Sequence, residues 1–293
     1  MPIDIDKLLN FRIPSVRHDI SARDIAFYAL TVGMGRDALD PSELTFVDPL
    51  RGPKVLPAMV LVMAHPGFYL ADPESGVDPK GVLHLEQSIE ILSPIPGKGV
   101  VESRTRITDV VDKGAGKAAL ILAETELFND YGERFAVLNR TTYVRGGGGF
   151  GGSASPMQVI DTVEMPDRAP DATLDFETRP DQALLYRLNG DLNPLHSDPE
   201  LARRAGFDAP ILHGLCSMGI AFSAILKARG VERVDAFRSM RLRFSKPVYP
   251  GETIRTEIWD DGRFRARVPS RDVTIIDGGL VVFDDMDKTG TDE

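Results

Sequence analysis

Apolar and polar residues alternate in two separate regions of the chain, and this pattern predicts two groups of β-strands. In each region, four segments alternate or are rich in β-branched residues, as is typical of strands with one buried face. The pairs Pro96-Gly97 and Pro250-Gly251 favour turns between strands. The segments are VLHLEQSIEIL, GVVESRTRITDVV, KAALILAETELFN and RFAVLNRTTYV in the first region, and FRSMRLRFSKPVY, ETIRTEIW, FRARVPS and DGGLVVF in the second.

A different pattern precedes each group of strands and predicts one buried helix in each half. The segment GLCSMGIAFSAILKA, residues 214–228, is apolar on nearly every helical face, so this helix should be buried on all sides. Its counterpart LPAMVLVMAH, residues 56–65, predicts a shorter helix of about ten residues, because Pro57 favours its start and Pro66-Gly67 its end.

The two halves also repeat short sequences in the same order. DIAFYALTVG, residues 24–33, is similar to DQALLYRLNG, residues 181–190. SPIPGKGVVESRTRI, residues 93–107, is similar to SKPVYPGETIRTEIW, residues 245–259. Matched segments at a nearly constant offset indicate a duplicated domain. One buried helix wrapped by an antiparallel sheet is the hot-dog fold, so the sequence predicts an α+β double hot dog with two tandem domains.

A glycine-rich segment, RGGGGFGGSASP, lies between the two halves at residues 145–156. A phosphate-binding loop would need a following Gly-Lys-Ser/Thr or a GxGxxG that opens a helix, and neither is present. We therefore predict a flexible linker. The predicted boundaries are residues 1–145 for the N-terminal domain, 146–160 for the linker and 161–293 for the C-terminal domain.

Composition narrows the class of protein. The 293 residues carry a formal net charge of -10, so binding to nucleic acid is not expected. The single cysteine excludes a disulfide within the chain and fits a reducing compartment. The N-terminus lacks the basic and apolar regions of a secretory signal, and no apolar run approaches the length of a membrane span. We therefore predict a cytoplasmic protein with no membrane partner.

Candidate chemistry is concentrated in YRLNGDLNPLHSDPELARRAGFDAPILHGLCSMG, residues 186–219. Glycine and Asn-Pro on either side of Asp191 predict a tight turn, which can direct Asp191, Asn193 and His196 toward one point. Together these side chains could hold one water molecule, and a carboxylate beside an imidazole can split it into hydroxyl and proton. Taken alone, Asp191 is more often a turn residue or cap, and His196 a structural loop histidine.

Gly214 follows this turn at the predicted start of the buried helix. The first N–H groups of a helix have no internal acceptor and glycine admits a close approach, so Gly214 is a candidate oxyanion donor. We interpret His213 as a helix-start or supporting residue and Cys216 as a packed core thiol. The string GLCSMG does not match a G-x-S-x-G nucleophile elbow. His196 and Asp198 lack a third ligand at helical spacing, so neither a metal nor another cofactor is predicted.

The segment YRLNGDLNPLHSD…ILHGLCSMG resembles the hydratase 2 motif of the R-specific enoyl-CoA hydratases, in the MaoC-like dehydratase family. In the first half, VLHLEQSIEILSPIPGKG, DVVDKGAG and GGGGFGG resemble the N-terminal repeat of the hydratase 2 unit of peroxisomal multifunctional enzyme type 2, and FSKPVYPGET resembles its second repeat. The resemblance extends from about Asp24 to Phe283. The matched motif residues are Tyr186, Gly190, Asp191, Asn193, Pro194, His196 and Gly214.

The resemblance implies reversible syn addition of water to a trans-2-enoyl-CoA, which gives a (3R)-3-hydroxyacyl-CoA. It implies that Asp191 and His196 form the acid/base pair. It further implies that Asn193 orients the water and that the Gly214 N–H polarises the thioester carbonyl. The implied substrate contacts are His84, Leu85, Lys113, Leu192, Pro194, Leu195 and Phe244. Relatives have His-Gly where this chain has His84-Leu85, and the leucine adds bulk.

Two other functions stay open for this fold: an acyl-CoA thioesterase, which acts on the same substrates, and a non-catalytic acyl-CoA-binding protein. The intact pair of Asp191 and His196 favours the hydratase. Because a single hot-dog domain leaves part of its sheet surface exposed, two such domains usually pack side by side. We also predict a homodimer of the whole chain.

The first half lacks the residues of the second-half turn. Met34 and Arg36 stand where the repeat has Asp191 and Asn193, so we predict one active site per chain. A half without catalytic residues can hold an acyl tail, and we predict that medium-length, long or bulky acyl chains are favoured. The predicted tunnel for the tail is lined by Met59, Val60, Val62 and Met63.

Overall fold

The computed structural model describes residues 2–37, 39–151 and 163–284. Ten strands in these ranges form one continuous antiparallel sheet. The strands are β1 (Val16–Ile20), β2 (Val82–Ile91), β3 (Gly99–Asp112), β4 (Ala119–Phe128), β5 (Arg134–Val144), β6 (Ala172–Glu177), β7 (Phe237–Phe244), β8 (Thr253–Ile258), β9 (Arg263–Val268) and β10 (Val273–Phe283). Their order is β1-β3-β4-β5-β2-β7-β10-β9-β8-β6, so each half contributes five adjacent strands.

The long helix of the second half is buried on all sides, as predicted. It begins at Gly214, and every residue from Leu215 to Leu226 is buried. None of the described helices is long and apolar enough to cross a bilayer. The α-helices are α1 (Ile5–Asn10), α2 (Ala22–Thr31), α3 (Leu44–Val47), α4 (Gln182–Tyr186), α5 (Pro199–Arg204) and α6 (Gly214–Arg229).

The two halves join through the pairing of β2 with β7. The register runs from Glu86 opposite Arg243 to Glu90 opposite Ser239. At its first rung, Arg243 Nη2 lies 2.6 Å from Glu86 Oε1, and the Glu86 side chain is only 3% exposed. Because a buried charge without its partner is strongly destabilising, this ion pair disfavours any other register of the two halves.

All eight predicted strands are present, but two strands were not predicted. β1 and β6 are short strands at opposite edges of the sheet. Their sequences, VRHDI and ATLDFE, carry charged residues among few apolar ones, so alternation was too short to indicate a strand. Pairing with the inner strands β3 and β8, rather than local preference, gives these segments their strand conformation.

The predicted ten-residue helix of the first half was wrong. The segment forms only a 3-10 helix, Pro57–Leu61, followed by a turn in which Ala64 takes a left-handed φ of 49°. Val60 and Val62 are β-branched and prolines flank the segment, so an α-helix has little support here. The chain therefore reverses before Pro66-Gly67 instead of continuing as a helix.

The predicted tunnel beside that helix is also corrected. Its four proposed lining residues are at most 3% exposed and belong to the main hydrophobic core. None of them lines the cavity that contains Asp191 and His196. Without a full helix, the segment packs directly against α6 and the sheet, so these side chains fill the core. The four residues are Met59, Val60, Val62 and Met63.

The first part of the predicted flexible linker is packed against the N-terminal half. The N–H groups of Gly149 and Gly151 donate to the two Asp112 carboxylate oxygens at 2.8 and 2.9 Å. A Cβ at Gly148 would lie 2.6 Å from the Gly114 carbonyl oxygen, so only glycine fits there. The glycines therefore serve close packing in residues 146–151. The rest of the predicted linker, residues 152–160, lies outside the described residues.

Candidate active site

A cavity of about 390 Å³ lies where the two halves meet. The second half contributes the predicted turn and the start of α6, and the first half contributes β2, β5 and residues 65–70. Eight of the residues implied by the sequence line this one cavity. They are His84, Leu85, Asp191, Asn193, Leu195, His196, Gly214 and Phe244.

Three implied substrate contacts lie outside the lining of this cavity. Leu192 is 60% exposed, Pro194 is also exposed, and Lys113 is exposed in the connection between β3 and β4. Successive residues of the turn face different sides, so the backbone that directs Asp191 and Asn193 inward turns Leu192 and Pro194 toward solvent. The structure therefore does not support contacts between these three side chains and the acyl group.

Backbone geometry shapes the turn that carries Asp191. Gly190 has φ of 122°, which a residue with a side chain rarely adopts. The following 3-10 turn, Pro194–His196, begins with proline and is capped by Asn193, whose Oδ1 accepts the N–H of Leu195 at 3.0 Å. This oxygen is engaged with the backbone, whereas the side-chain N–H₂ of Asn193 is available to orient a water molecule.

A hydrogen bond determines which ring nitrogen of His196 carries the proton. Nδ1 lies 2.8 Å from the carbonyl oxygen of Ile211. A carbonyl oxygen only accepts, so Nδ1–H is the donor and the neutral ring keeps its lone pair on Nε2. Burial lowers the pKa of His196 from its ordinary 6.5, although Asp191 and the carbonyl act in the opposite direction. His196 is therefore neutral at pH 7, with a basic Nε2.

His213, at the N-cap of α6, supports both members of the pair. Its Nε2–H donates to the backbone carbonyl of Asp191 at 3.1 Å. Its ring stacks on that of His196, with centroids 3.7 Å apart. Burial and the neighbouring His196 lower the pKa of His213 to about 3, so this ring is also neutral. These contacts agree with its interpretation as a supporting residue.

Asp191 stays ionised in this environment. Burial by itself would raise its pKa, but His65, His213 and His196 become protonated at acidic pH, and their charges then outweigh that effect and lower the pKa of Asp191 to about 2. At neutral pH the Asp191 carboxylate therefore shares the cavity with the neutral imidazole of His196. The Asp191 oxygens and Nε2 of His196 accept hydrogen bonds, and none of these atoms carries a proton to give before it has taken one.

Gly214 begins α6, as predicted, and its N–H has no acceptor among the residues that the structure describes. A Cβ at this position would lie 3.2 Å from the ring of Phe244, so a side chain would crowd the site. The rings of Phe244 and His84 meet edge to face, with centroids 4.9 Å apart. The unpaired N–H and these two rings form one part of the cavity wall.

Two lining residues, His65 and Arg140, were not found from the sequence. The N–H of Gly67 donates to His65 Nδ1 at 3.1 Å, so Nε2 carries the proton of the neutral ring. This Nε2 is buried and has no acceptor in the described part of the chain. Only the reversal at Ala64 and the pairing of β5 with β2 bring these residues to the cavity, so no local signal indicated them.

The structure brings together a different set of possible metal ligands from the pair His196 and Asp198 considered in the sequence. Asp191, His196 and His213 each place a possible ligand atom within 4.8 Å of the others, whereas Asp198 instead caps α5. However, the two imidazole planes stack only 27° apart. In-plane lone pairs of stacked rings run side by side, whereas a tetrahedral ion needs them to converge. The geometry favours water at this position, and the absence of a metal stays a prediction.

Comparison with known proteins shows the family of this chain. Residues 161–276 match the MaoC like domain, and residues 18–146 match the MFE-2 hydratase 2 N-terminal domain. An enoyl-CoA hydratase of Mycobacterium tuberculosis is 39% identical over 289 residues, which cover 96% of this chain and 98% of the relative. This chain belongs to the MaoC-like hydratase 2 family. The peroxisomal enoyl-CoA hydratase 2 of Arabidopsis thaliana is also 39% identical, over 93% of each chain.

Solved structures confirm the α+β double hot-dog fold of this hydratase 2 family member. A MaoC-like dehydratase from Phytophthora capsici superposes with a TM-score of 0.82 at 33% identity, over 98% of this chain and 100% of that one. A Mycobacterium tuberculosis protein described as a double hotdog fold is similar over 92% of this chain, with a TM-score of 0.57. At 15% identity, the second similarity supports the fold alone.

Proposed function

We propose that this chain catalyses the reversible hydration of a trans-2-enoyl-CoA to a (3R)-3-hydroxyacyl-CoA. One observation carries the proposal: ionised Asp191 and neutral His196, with its free Nε2, line the same cavity as the unpaired N–H of Gly214. This combination supplies a base for water and a donor for a developing oxyanion. The relatives named as enoyl-CoA hydratases support the same activity.

In the hydration direction, a water molecule donates hydrogen bonds to Asp191 and to Nε2 of His196. Nε2 takes one proton while the water oxygen forms a bond to C3 of the enoyl group. The electrons of the double bond move toward the thioester, and the resulting enolate oxygen accepts the N–H of Gly214. The imidazolium, stabilised by the Asp191 carboxylate, then gives the proton to C2 and returns to its neutral form.

The steps also predict the stereochemistry. Hydroxyl and proton come from one water molecule held on one side of the double bond, so the addition is syn. Neither Asp191 nor Nε2 of His196 carries a proton at neutral pH, so the proton for C2 must come from that water. We assign His196 as the group that carries it, because its Nε2 is free and Asp191 can stabilise the imidazolium.

The test of this function is to mix the protein with trans-2-enoyl-CoAs of several chain lengths. Loss of the enoyl absorbance with a 3R alcohol as product supports the hydratase. Release of free thiol would instead indicate the alternative thioesterase. Binding without either change would indicate a non-catalytic acyl-CoA-binding protein, and a 3S product would refute the assignment to this reaction.

The pH dependence of the reaction follows from the charge states of the pair. Protonation of His196 removes its lone pair, and its pKa in the folded protein lies below 6.5, whereas that of Asp191 is about 2. We therefore expect kcat/KM to be constant above neutral pH and to fall through an acidic limb centred below 6.5. An acidic limb centred at or above 6.5 in initial-rate measurements would contradict the neutral, buried imidazole.

Chain-length preference is a further part of the proposal. The cavity is large and lined mainly by apolar side chains, so each additional buried methylene should contribute about 0.8 kcal/mol to binding. We propose that medium-length, long or bulky enoyl-CoAs exceed crotonyl-CoA in kcat/KM. Replacement of Met63 by tryptophan would not test this, because Met63 is packed in the core and the larger ring would destabilise the fold.

Leu85 offers a sharper test of the cavity shape. It is the extra residue of a β-bulge between His84 and Glu86, and it lines the cavity. Leu85→Gly should raise kcat/KM for a branched or ring-bearing enoyl-CoA, relative to a linear one, by about tenfold, because space for two or three methylenes is opened. Leu92→Gly, at an exposed position just after β2, is the matched control. An unchanged substrate ratio in Leu85→Gly would show that Leu85 does not limit the cavity.

We also propose a homodimer in a cytoplasmic setting. The only cysteine, Cys216, is buried, and burial raises the pKa of its thiol, in agreement with a packed core residue.

Light scattering combined with size-exclusion chromatography tests the proposed homodimer. A monomer mass that persists at high protein concentration would refute it.

A further inference from the structure

Arg140 is an unpaired cation in a largely apolar cavity. It lies on β5 opposite Gln87 of β2, is half-buried and lines the cavity of the acid/base pair. Its guanidinium makes no hydrogen bond or ion pair with any residue in the described ranges. Other arginines of the first-half strands, Arg104, Arg106 and Arg134, each pair with a glutamate. Because a partly desolvated cation without a partner is costly, Arg140 has bonding capacity left for a ligand.

Two further polar groups lie beside Arg140. His65, Tyr69 and Arg140 line both the main cavity and a side pocket of about 20 Å³. The Nε2–H of His65 is buried and has no acceptor, and burial raises the pKa of Tyr69, which keeps its phenol protonated. The nearby Gln87 amide already donates to two backbone carbonyls. The open bonding capacity of His65 and Arg140 is that of donors, which suits a ligand oxygen.

Arg140 and His65 lie where the tail of the acyl chain is expected in the cavity. The thioester carbonyl belongs at Gly214 and C3 belongs at Asp191, so the chain beyond C3 continues on the Asp191 side. His65 lies on this side, because a Cβ at Gly190, the neighbour of Asp191, would be 3.8 Å from the Cβ of His65. Arg140 lines the same side pocket as His65. Arg140 lies two residues before Thr142 on β5, and Thr142 is the partner of His84. Arg140 is therefore about 7 Å from the level of His84 along the strand.

We propose that Arg140 and His65 bind a carboxylate at the far end of the acyl chain, so that ω-carboxy-trans-2-enoyl-CoAs of medium length are preferred substrates. The inference rests on the proposed hydration and names its substrate class. The guanidinium fork matches the two oxygens of a carboxylate, and the His65 N–H adds a further donor. A plain alkyl tail would leave both donors unpaired inside the cavity, and such a loss discriminates strongly between substrates.

A rival role for Arg140 makes a different prediction. Its charge also contributes to the lowered pKa of Asp191, so it could serve the acid/base pair alone. In that case, removal of the charge would affect every substrate to the same extent. Binding of a distal carboxylate instead requires that the loss be confined to substrates that carry one.

The experiment compares pairs of trans-2-enoyl-CoAs of equal carbon number, one plain and one ending in a carboxylate, with about six to twelve carbons as set by the distance along the strand. For the unmodified protein, we expect kcat/KM of the carboxylate member to exceed that of the plain member by at least about tenfold at the best length. Arg140→Met should reduce kcat/KM more than about tenfold for the carboxylate member and less than about threefold for the plain one.

Further variants sharpen this comparison. Arg140→Lys keeps the charge without the fork and should retain part of the preference, and His65→Phe should lower it by about three- to tenfold. Arg134→Met, on the same strand but exposed and paired with Glu126, is the matched control and should leave the preference intact. Activity of Arg140→Met on plain chains reports at the same time that this variant is folded.

Two outcomes would overturn the inference: a preference for the plain member at every length, or equal loss for both members in Arg140→Met. The second outcome would assign Arg140 to the acid/base pair. Hydration of plain chains without a carboxylate preference refutes this inference and leaves the proposed function intact. Absence of hydration for every enoyl-CoA refutes the proposed function itself.

Discussion

Replacement of Asp191 by asparagine should lower kcat by about 10²–10⁴, and His196→Ala should have an effect of similar size. The amide keeps the shape of the side chain but cannot stabilise the imidazolium as a carboxylate does. Alanine removes Nε2, which takes the proton of the water in the proposed mechanism, and also the hydrogen bond to Ile211. Turnover at saturating enoyl-CoA is the measurement. A folded variant of either kind with more than about half of the normal turnover would disprove the assignment.

A matched control is available at Asp198 in the same segment. Asp198 is exposed and caps α5 by accepting the N–H groups of Glu200 and Leu201. Asparagine is an equally good N-cap, so Asp198→Asn should keep both the fold and the activity. Thermal unfolding of Asp191→Asn and Asp198→Asn side by side separates a chemical loss from a structural one. Equal loss of activity in both variants would indicate a general effect of charge removal.

Replacement of Gly214 by proline should lower kcat by about 10²–10³, the usual effect of removing one oxyanion donor. The N–H of Gly214 has no acceptor within the described ranges, so it is free to bind the enolate oxygen. Proline is tolerated as the first residue of a helix, and the extended ψ of 133° at His213 is compatible with a following proline. Stability should therefore change less than turnover.

Gly214→Ala is the necessary control for the proline variant. Both substitutions add a Cβ about 3.2 Å from the ring of Phe244, and only proline lacks the N–H. The ratio of the two turnover numbers therefore isolates the contribution of the N–H from that of crowding. Equal turnover in the two variants would show that the reaction does not use this donor.

In the first half, the residues that align with Asp191 and Asn193 pack against other parts of the protein. Met34, which aligns with Asp191 in the repeat, is 1% exposed in the core. Arg36, which aligns with Asn193, lies 3.9 Å from the ring centroid of Phe176 and donates to the carbonyl of Glu177. These residues serve packing between the halves instead of water chemistry. The prediction of one active site per chain rests on this difference.

Local sequence was sufficient for the elements whose contacts are local or uniform. Apolar residues all around 214–228 indicated a helix buried on every side, and α6 confirms it. Alternation of apolar and polar residues indicated the eight strands that lie between the two edge strands, and all eight are present. The same reasoning failed for residues 56–65, where apolar residues signal burial equally well in a helix or in a packed turn. The two short edge strands escaped detection because their pairing partners, and not their own residues, define them.

The sequence by itself determined the turn that carries the proposed acid/base pair and the start of α6. Asp191, Asn193 and His196 are near neighbours in the chain, and glycine, proline and a capping side chain fix their turn locally. Only the tertiary structure decided the charge state and the walls of the site. The tautomer of His196 depends on the carbonyl of Ile211, fifteen residues away. The imidazole is neutral because burial in the folded protein lowers its pKa.

The first-half wall of the site was decided by the tertiary structure alone. His84, His65 and Arg140 reach the cavity through the β2–β7 junction, the reversal at Ala64 and the β2–β5 register. These pairings join residues that are dozens of positions apart in the chain. The apolar surface buried between the strands and helices stabilises them. No short segment contains that information, because burial and strand pairing are properties of the assembled sheet.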